Sequence, residues 1–312
     1  MQVMTSVLPL DDLRAAFGKR LRLNQPLARY TSARIGGSAD ALLDITASDE
    51  LAETAQALWG LGLPFVVLGG GSNMLVSDAG VREVVIFNQA SAVRFQDGTK
   101  GPVVWAESGA GLGAIARQAA SKGLGGLEWA AGIPGSIGGA VFGNAGAHGG
   151  DVSLVLEMAT ILHRTEGRKD WLTQDLAFEY RSSWLKHHPG EAVILSAQLA
   201  LAKKTQAEIR AQMDTFLAYR RLTQPPGASM GSMFKNPPGE SAGRLIEAAG
   251  LKGKKIGNAQ ISPLHANFFL NLGDARAADV HALIQEASAA VRRHSGIEFE
   301  LEIELVGEWS AN

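Results

Sequence analysis

Residues 123–150 read GLGGLEWAAGIPGSIGGAVFGNAGAHGG, and this stretch decides the fold. Eleven of its 28 positions are glycine, and only Glu128 and His148 can carry charge. Ordered glycine is costly because it loses the most backbone freedom on folding, so this density predicts main chain pressed closely against a ligand. The apolar residues Ile133, Pro134 and Ile137 are atypical of a flexible Gly/Ser linker, which is the alternative interpretation.

A second glycine loop lies upstream. The sequence PFVVL at 64–68 predicts a short buried strand, which runs directly into GGGSN at 69–73. Consecutive glycines let main-chain N–H groups converge on an anion, and the serine and asparagine add side-chain donors. The loop is therefore predicted either to cradle a phosphate or to form a tight turn between strands. A third, shorter element, RIGG at 34–37, precedes an apolar run over residues 39–45.

Composition limits the possible classes of protein. At 312 residues and 46% hydrophobic, the chain is expected to form two or more domains. Its net charge of −2 gives no overall basic field for nucleic acid. No run approaches the ~18 apolar residues that span a bilayer and no secretory signal is evident, so we expect a cytoplasmic protein without membrane insertion. The absence of cysteine excludes disulfides, thiolate metal sites and cysteinyl flavin attachment.

Hydrophobic periodicity divides the chain near residue 200. Before it, the pattern predicts helices from Ser48 to Leu58 and from Leu112 to Lys122, and strands over 39–45, 81–87, 102–107, 154–163 and 192–201. After it, the predicted order is helix, loop, helix, strands, helix and strand. Thr205 with Glu208 predicts a capping box, and Asp274 is expected to cap a long helix that runs to His294.

Three patterns suggest chemistry that their context disfavours. GAGLGA at 109–114 matches part of a Rossmann fingerprint, but the glycine stretch follows where a second strand of a βαβ unit is needed. Ser232 and Lys235 have S-x-x-K spacing, which requires a helix that Pro237 forbids. The adjacent histidines at 187 and 188 lack a third ligand in register, so no metal site is predicted.

Taken in order, RIGG, GGGSN and GIPGSIGGA with Asn144 resemble the FAD site of the UDP-N-acetylenolpyruvoylglucosamine reductases, within the wider vanillyl-alcohol-oxidase-like class. The resemblance implies an α+β fold with an N-terminal extension (1–23), a PCMH-type FAD-binding domain (24–200) and a C-terminal α+β substrate-binding domain (201–312). The implied cofactor-binding residues are Ile35, Gly36, Gly69, Gly70, Gly71, Ser72, Asn73, Ile133, Pro134, Gly135, Ser136, Gly138, Gly139, Ala140 and Asn144.

The resemblance continues through the C-terminal part. It is carried by GSMFKNP at 231–237, AGRLIEAAGLKG at 242–253 and AQIS…HANF over 259–268, and it covers the chain from about residue 27 to residue 309. Leu264 departs from the family pattern, which has a charged residue there. The short interval after Tyr180 is similar to the compact form of the family. The implied substrate-binding residues are Tyr180, Lys235, Asn236, Arg244, Gln260, His265 and Asn267.

Three positions match the catalytic residues of the family. FEYRSS at 178–183 nominates Arg181, and the Gly-Ser pair at 231–232 nominates Ser232. Near the C-terminus, GIEFELEIELVG at 296–307 has glutamates at four alternate positions, which predicts that all lie on one face of a strand. The family pattern selects Glu302, whereas a slip in register would select Glu300 or Glu304.

The family chemistry gives these residues their expected roles. NADPH would reduce a non-covalently bound FAD, and hydride would then pass to UDP-N-acetylglucosamine enolpyruvate to give UDP-N-acetylmuramate for peptidoglycan. Arg181 would stabilise the developing enolate, and Glu302 would help by hydrogen bonding if burial keeps it protonated. Ser232 would donate the proton, with Lys235 or a water assisting. The alternatives are a flavin oxidase of the same superfamily and a non-catalytic flavin- or nucleotide-sugar-binding protein.

Overall fold

Two sheets form the N-terminal part of the computed structural model, which describes residues 8–309. The four-stranded sheet has the spatial order Leu21–Pro26, Ser38–Ile45, Val81–Asn88 and Phe65–Leu68. The five-stranded sheet has the order Gly167–Leu172, Leu156–His163, Ala192–Ala200, Gly101–Glu107 and Val93–Gly98. All five predicted strands are present. The one expected from residue 154 begins at Leu156, because Asp151 caps a short helix just before it.

Helices cover these sheets. Those of the N-terminal part are Leu10–Phe17, Ser48–Gly60, Leu112–Ser121, Ile137–Phe142, Val152–Val155 and Trp184–His187. Short 3-10 turns occur at Gly18–Arg20, Leu27–Tyr30, Glu128–Ala130 and Thr173–Leu176. The first helix is not a detached extension, because Leu13 and Phe17 lie in the same hydrophobic cluster as Leu43 and Ile86 of the four-stranded sheet.

The long helix Gln206–Thr223 lies between the two parts of the chain in sequence. The predicted capping box is confirmed: the Thr205 hydroxyl accepts from the Glu208 N–H, and the Glu208 carboxylate accepts from the Thr205 N–H. On its apolar face, Ile209 and Met213 are buried in the hydrophobic cluster of the five-stranded sheet. This helix therefore packs with the N-terminal part, although it follows the predicted boundary at residue 200.

The C-terminal part is a small α+β unit. Its helices are Ala242–Ala248 and Ala277–Ser295, and its antiparallel sheet has the order Lys255–Ile256, Ala259–Ile261 and Phe269–Asn271. Asp274 does not cap the second helix, so that prediction was wrong. Arg276 is the N-cap residue, and the Asp78 carboxylate accepts hydrogen bonds from the Ala277 and Ala278 N–H groups at 2.8 and 2.9 Å. The cap thus comes from the other part of the chain.

The C-terminal segment returns to the N-terminal part. Its strand, Glu304–Val306, pairs in parallel with Met74–Val76. The prediction that one regular strand carries all four glutamates was wrong, because only Glu304–Val306 forms a strand there. The main chain before it bonds to other partners: the Glu300 carbonyl accepts from the Lys235 N–H, and the Glu302 N–H donates to the Met233 carbonyl.

Two of the sequence patterns that their context disfavoured, the Rossmann-like GAGLGA and the S-x-x-K spacing at Ser232, do not have the structure that their usual chemistry requires. The strand before GAGLGA, Gly101–Glu107, has antiparallel neighbours on both sides, which is incompatible with a Rossmann βαβ unit. Ser232 lies on an extended segment that bridges to Phe268 rather than on a helix. Two-stranded pairs complete the fold: Gly146–Ala147 with Gly150–Asp151, and Leu124–Gly125 with Ala202–Lys203. Across residues 8–309, none of the helices has the length and apolarity to cross a membrane.

Candidate active site

The two predicted flavin loops pack against each other. The Ser72 hydroxyl donates to the Pro134 carbonyl at 3.3 Å, and a Cβ at Gly70 would lie 3.0 Å from the Gly135 Cα. A Cβ at Gly69 would overlap the Ser136 hydroxyl. Glycine at these positions therefore permits close approach of the two loops to each other, whereas the density of glycine had been interpreted as close approach to a ligand.

The loop at 69–73 is not a hairpin turn. Phe65–Leu68 pairs with Val81–Asn88, whereas Met74–Val76 pairs with Glu304–Val306 in a different sheet. Within the described part of the chain, the N–H groups of Gly70, Gly71, Ser72 and Asn73 donate to no protein atom. Consecutive N–H groups around a glycine turn form a concave anion site. The arrangement fits the diphosphate of a dinucleotide.

Two positions of the RIGG element serve packing. The Ile35 side chain is buried in the hydrophobic cluster of the C-terminal part, which also contains Leu75 and Met233. A Cβ at Gly36 would lie only 2.8 Å from the Val76 Cβ. The Ile35 side chain is thus used in packing, and its main-chain N–H and carbonyl both bond to the Thr31 hydroxyl.

The glycine-rich stretch turns into the helix Ile137–Phe142. The Ser136 hydroxyl caps it by accepting from the Gly139 N–H at 3.3 Å. Gly138 is required because a Cβ would lie 3.0 Å from the Ser108 carbonyl oxygen, and the Gly138 N–H donates to that same carbonyl. Ala140 is one of the buried residues of this helix.

Arg181 is held by a network of acceptors. Its Nε donates to Glu302 Oε1 at 2.7 Å, and its terminal nitrogens donate to the carbonyls of Gly146 at 2.6 Å and Asn144 at 3.4 Å. The Asn144 side chain supports the same turn by donating to the Glu179 carbonyl and accepting from the Ser153 N–H. Asn144 was predicted to bind the cofactor, but its side chain is used in orienting the loop of Arg181.

Of the four alternate glutamates, Glu302 alone is largely enclosed. Its side chain is 17% exposed, against 72% for Glu298, 71% for Glu300 and 44% for Glu304. Burial raises the pKa of Glu302, although the nearby charges of Arg181, Lys186 and Lys235 oppose the shift. The register that the family pattern selected therefore puts this carboxyl, and not its neighbours, beside Arg181.

Ser232 directly precedes a residue whose main chain bonds to Glu302. The next residue, Met233, accepts from the Glu302 N–H at 2.9 Å and donates to the Asn267 carbonyl at 2.8 Å. Within residues 8–309 the Ser232 hydroxyl has no hydrogen-bond partner. The Lys235 ammonium lies 2.5 Å from Glu300 Oε1, so it is engaged by this surface glutamate rather than by Ser232.

Most of the predicted substrate-binding side chains have structural partners. The Asn267 amide braces the Phe234 main chain through both its donor and its acceptor. The other polar partners are the Ala242 N–H for Asn236, the Gly253 carbonyl for Gln260, Glu240 for Arg244 and the Asn267 N–H for His265. Burial lowers the pKa of His265. Tyr180 differs, because its ring is exposed and stands 5.3 Å from the Arg181 guanidinium.

Two cations near the site are not among the predicted site residues. Lys186 forms an ion pair with Glu304 at 2.7 Å and adds to the positive field at Glu302. Arg220 lines a cavity of about 390 Å³ beside Gly132, and its pKa is lowered by burial. Arg220 belongs to the basic segment 201–255, whose excess of positive charge could attract a diphosphate, but no sequence signal marked Lys186.

Comparisons with known proteins agree with this arrangement. An FAD binding domain model matches residues 39–165, and the model for the UDP-N-acetylenolpyruvoylglucosamine reductase C-terminal domain matches residues 222–306. The UDP-N-acetylenolpyruvoylglucosamine reductase of Chloroflexus aggregans is 40% identical over 92% of this chain and 97% of its own. That of Bacillus subtilis is 42% identical over 96% and 98%.

A solved structure gives the same result. The crystal structure of the UDP-N-acetylenolpyruvylglucosamine reductase from Thermus caldophilus superposes with a TM-score of 0.77 at 36% identity, over 92% of this chain and 99% of that chain. The predicted α+β fold, with an N-terminal FAD-binding domain and a C-terminal domain characteristic of these enzymes, is confirmed. The chain belongs to the UDP-N-acetylenolpyruvoylglucosamine reductase family.

Proposed function

We propose that this chain reduces UDP-N-acetylglucosamine enolpyruvate to UDP-N-acetylmuramate, with NADPH as hydride donor and one non-covalently bound FAD as carrier. The observation that carries the proposal is the ion pair of Arg181 and Glu302 at 2.7 Å, which unites residues of both parts of the chain. Family membership supports the same reaction, because the relatives carry the name of this reductase.

The two packed glycine loops would hold FAD. The N–H groups of Gly70 to Asn73 would bind its diphosphate, and the facing loop at 133–140 would lie along it. FAD, when bound, supplies the hydride relay between NADPH and the substrate. Attachment is non-covalent in this proposal, because the chain has no cysteine to form a thioether with the flavin.

Arg181 would stabilise the charge that develops on the substrate. When hydride adds to the terminal vinyl carbon, negative charge passes into an enolate conjugated with the substrate carboxylate. A guanidinium already fixed by the carbonyls of Gly146 and Asn144 needs little reorganisation to stabilise that charge. The planar fork of Arg181 also suits bidentate binding of a carboxylate.

Glu302 would act in its protonated form. Burial raises its pKa, and a neutral carboxyl can donate a hydrogen bond to an enolate oxygen where a carboxylate would repel it. Arg181 opposes this shift, so substrate binding must weaken the ion pair before the carboxyl becomes a donor. A substrate carboxylate that shares the Arg181 guanidinium would have that effect.

Ser232 would complete the reduction by transferring its hydroxyl proton to the substrate carbon next to the carboxylate. The hydride on one carbon and this proton on the other convert the enolpyruvyl double bond to a lactyl ether, and the serine oxygen regains a proton from solvent. Its hydroxyl has no protein partner within residues 8–309 that would compete for this role. The ion pair of Lys235 with Glu300 gives no support to assistance by this lysine.

Two anaerobic measurements test the function. NADPH should bleach the flavin absorbance, and UDP-N-acetylglucosamine enolpyruvate should restore it with formation of one UDP-N-acetylmuramate per flavin. Reoxidation by oxygen but not by this substrate would instead indicate the oxidase, and a colourless protein would indicate a binding module. Either result would contradict the proposal.

The domain limits and the location also remain predictions. The packing of Ile209 and Met213 favours placing the boundary between the two domains after the helix Gln206–Thr223 rather than at residue 200. The first 23 residues are better joined to the FAD-binding domain, because Leu13 and Phe17 contribute to its core. A cytoplasmic location is consistent with NADPH and a nucleotide sugar as substrates.

A further inference from the structure

Asn73 joins the predicted phosphate loop to the segment that carries Glu302. Its side-chain Nδ2 donates to the Glu302 carbonyl at 3.0 Å. Its own carbonyl accepts from the Glu304 N–H at 2.9 Å, immediately before the parallel pairing of Met74–Val76 with Glu304–Val306 begins. Asn73 therefore bonds to the C-terminal segment through both its side chain and its main chain.

The main chain of Glu302 is held from two directions. Its N–H donates to the Met233 carbonyl in the C-terminal part at 2.9 Å, and its carbonyl accepts from Asn73 in the N-terminal part. These two bonds fix the rotation of the peptide units on either side of the residue. Because the side chain leaves from the same Cα, they also set the direction in which the carboxyl points toward Arg181.

We infer that Asn73 is a positioning residue for Glu302, a role that rests on the proposed function. Its side chain donates a hydrogen bond to the peptide unit that follows Glu302, and its main-chain N–H is one of those proposed to bind the phosphate. Loss of the side-chain bond would let the peptide turn and would move the carboxyl away from the Arg181 Nε, which it now meets at 2.7 Å. The loop predicted to bind the cofactor thus also orients the carboxyl of the second half-reaction.

The chain provides a matched control for this inference. The Ser77 hydroxyl, like the Asn73 amide, donates to a carbonyl of the C-terminal segment, that of Glu308. Both bonds join the flanks of the strand Met74–Val76 to the returning chain, but only the bond of Asn73 is made to Glu302. Ser77→Ala should therefore loosen the same junction without changing the direction of the catalytic carboxyl.

The experiment compares Asn73→Ala with Ser77→Ala in the FAD-loaded protein. Asn73→Ala keeps the main-chain N–H that is proposed to bind the diphosphate and loses only the side-chain bond to Glu302, so its reoxidation by the enolpyruvyl substrate should slow about tenfold relative to wild type, as expected for one lost hydrogen bond. Amide hydrogen exchange at Glu304, whose N–H donates to the Asn73 carbonyl, should become faster in Asn73→Ala than in Ser77→Ala. If Asn73→Ala does not fold, Asn73→Leu removes the donor at a similar side-chain shape without adding a negative charge to the proposed phosphate loop, and it carries the same expectation.

A double-mutant cycle separates this role from cofactor binding. In a Glu302→Ala background, Asn73→Ala should cause no further loss in the reoxidation rate, because it acts through the missing carboxyl. Additive losses, loss of FAD from Asn73→Ala, or equal effects of the two single variants would overturn the inference. If the proposed function itself were wrong, the result would be different: the substrate would not reoxidise even the wild-type protein.

Discussion

Replacing Ser232 by alanine tests the assignment of the proton donor. Its hydroxyl has no hydrogen-bond partner among residues 8–309, so the free energy of unfolding should change by no more than about 0.5 kcal/mol. Loss of a positioned proton donor typically costs about 10² to 10⁴ in rate, or ~3 to 5 kcal/mol in the activation barrier. The effect on rate should therefore greatly exceed the effect on stability.

The assay follows flavin absorbance by stopped flow without oxygen, with each half-reaction run separately. Ser232→Ala should be bleached by NADPH at nearly the wild-type rate, and its reoxidation should stay slow at saturating enolpyruvyl substrate, which excludes a binding defect. Ser241→Ala is the matched control, because the Ser241 hydroxyl only caps the helix Ala242–Ala248 in the same part of the chain. Equal slowing of both half-reactions, or reoxidation at the wild-type rate, would refute the assignment.

Gly70→Val should lower FAD content without unfolding the protein, and Gly60→Val, where a Cβ would meet no atom within 4 Å, should leave FAD content unchanged. Because the folded pKa of Glu302 is raised above 4.5, its contribution to the free energy of unfolding is present at acid pH and is lost as pH rises through that folded pKa. Urea unfolding across this range should show wild type losing stability relative to Glu302→Gln, and a constant difference would contradict the shift. Asp78→Ala should cost about 0.5–2 kcal/mol in thermal unfolding, because it removes the acceptor for the Ala277 N–H and its neighbour. Acid precipitation should leave the yellow chromophore in the supernatant, and flavin in the pellet would indicate a covalent link.

Local patterns in the sequence predicted the elements whose determinants are local. The Thr205 and Glu208 capping box was confirmed because both partners lie within one helical turn. The cap of the helix Ala277–Ser295 was assigned wrongly to Asp274, because its acceptor, Asp78, comes from 199 residues earlier in the chain. A sequence pattern of caps and periodicity contains no information about such a partner.

The glutamates near the C-terminus illustrate the same limit. Alternation predicted one strand face, but the chain bonds in turn to Lys235 at Glu300, to Met233 at Glu302 and to Asn73 at Glu304. The first two bonds form an antiparallel bridge between Leu301 and Phe234, and the chain then changes partner to Met74–Val76, so only the last stretch is a strand. The family pattern nevertheless selected Glu302, which is the most enclosed of these four glutamates. A family motif can identify such a residue because it reflects contacts in the folded protein, whereas hydrophobic periodicity reflects only the local chain.

The glycines of the loop at 69–73 serve different needs. Gly71 has φ of +56°, and a Cβ there would overlap the Tyr30 carbonyl oxygen, so it is required by the protein's own main chain. Gly70 has no left-handed φ, and a Cβ there would meet the Gly135 Cα of the facing loop at 3.0 Å, so a larger side chain would disturb the packing of the two loops rather than the turn itself. A bulky residue at position 71 would therefore test folding, whereas one at position 70 tests cofactor binding.

The active-site pair depends on how the two parts of the chain meet. Arg181 has φ of +55°, a left-handed conformation that is uncommon for a side chain of this size, and a tight turn between Glu179 and Ser182 maintains it. Asn144 anchors that turn to the glycine-rich stretch. Because Glu302 arrives on the segment held by Asn73, the distance between guanidinium and carboxyl depends on the packing of both glycine loops. The packing of the loop that contains Asn73 and the alignment of Arg181 with Glu302 are therefore linked through the same segment.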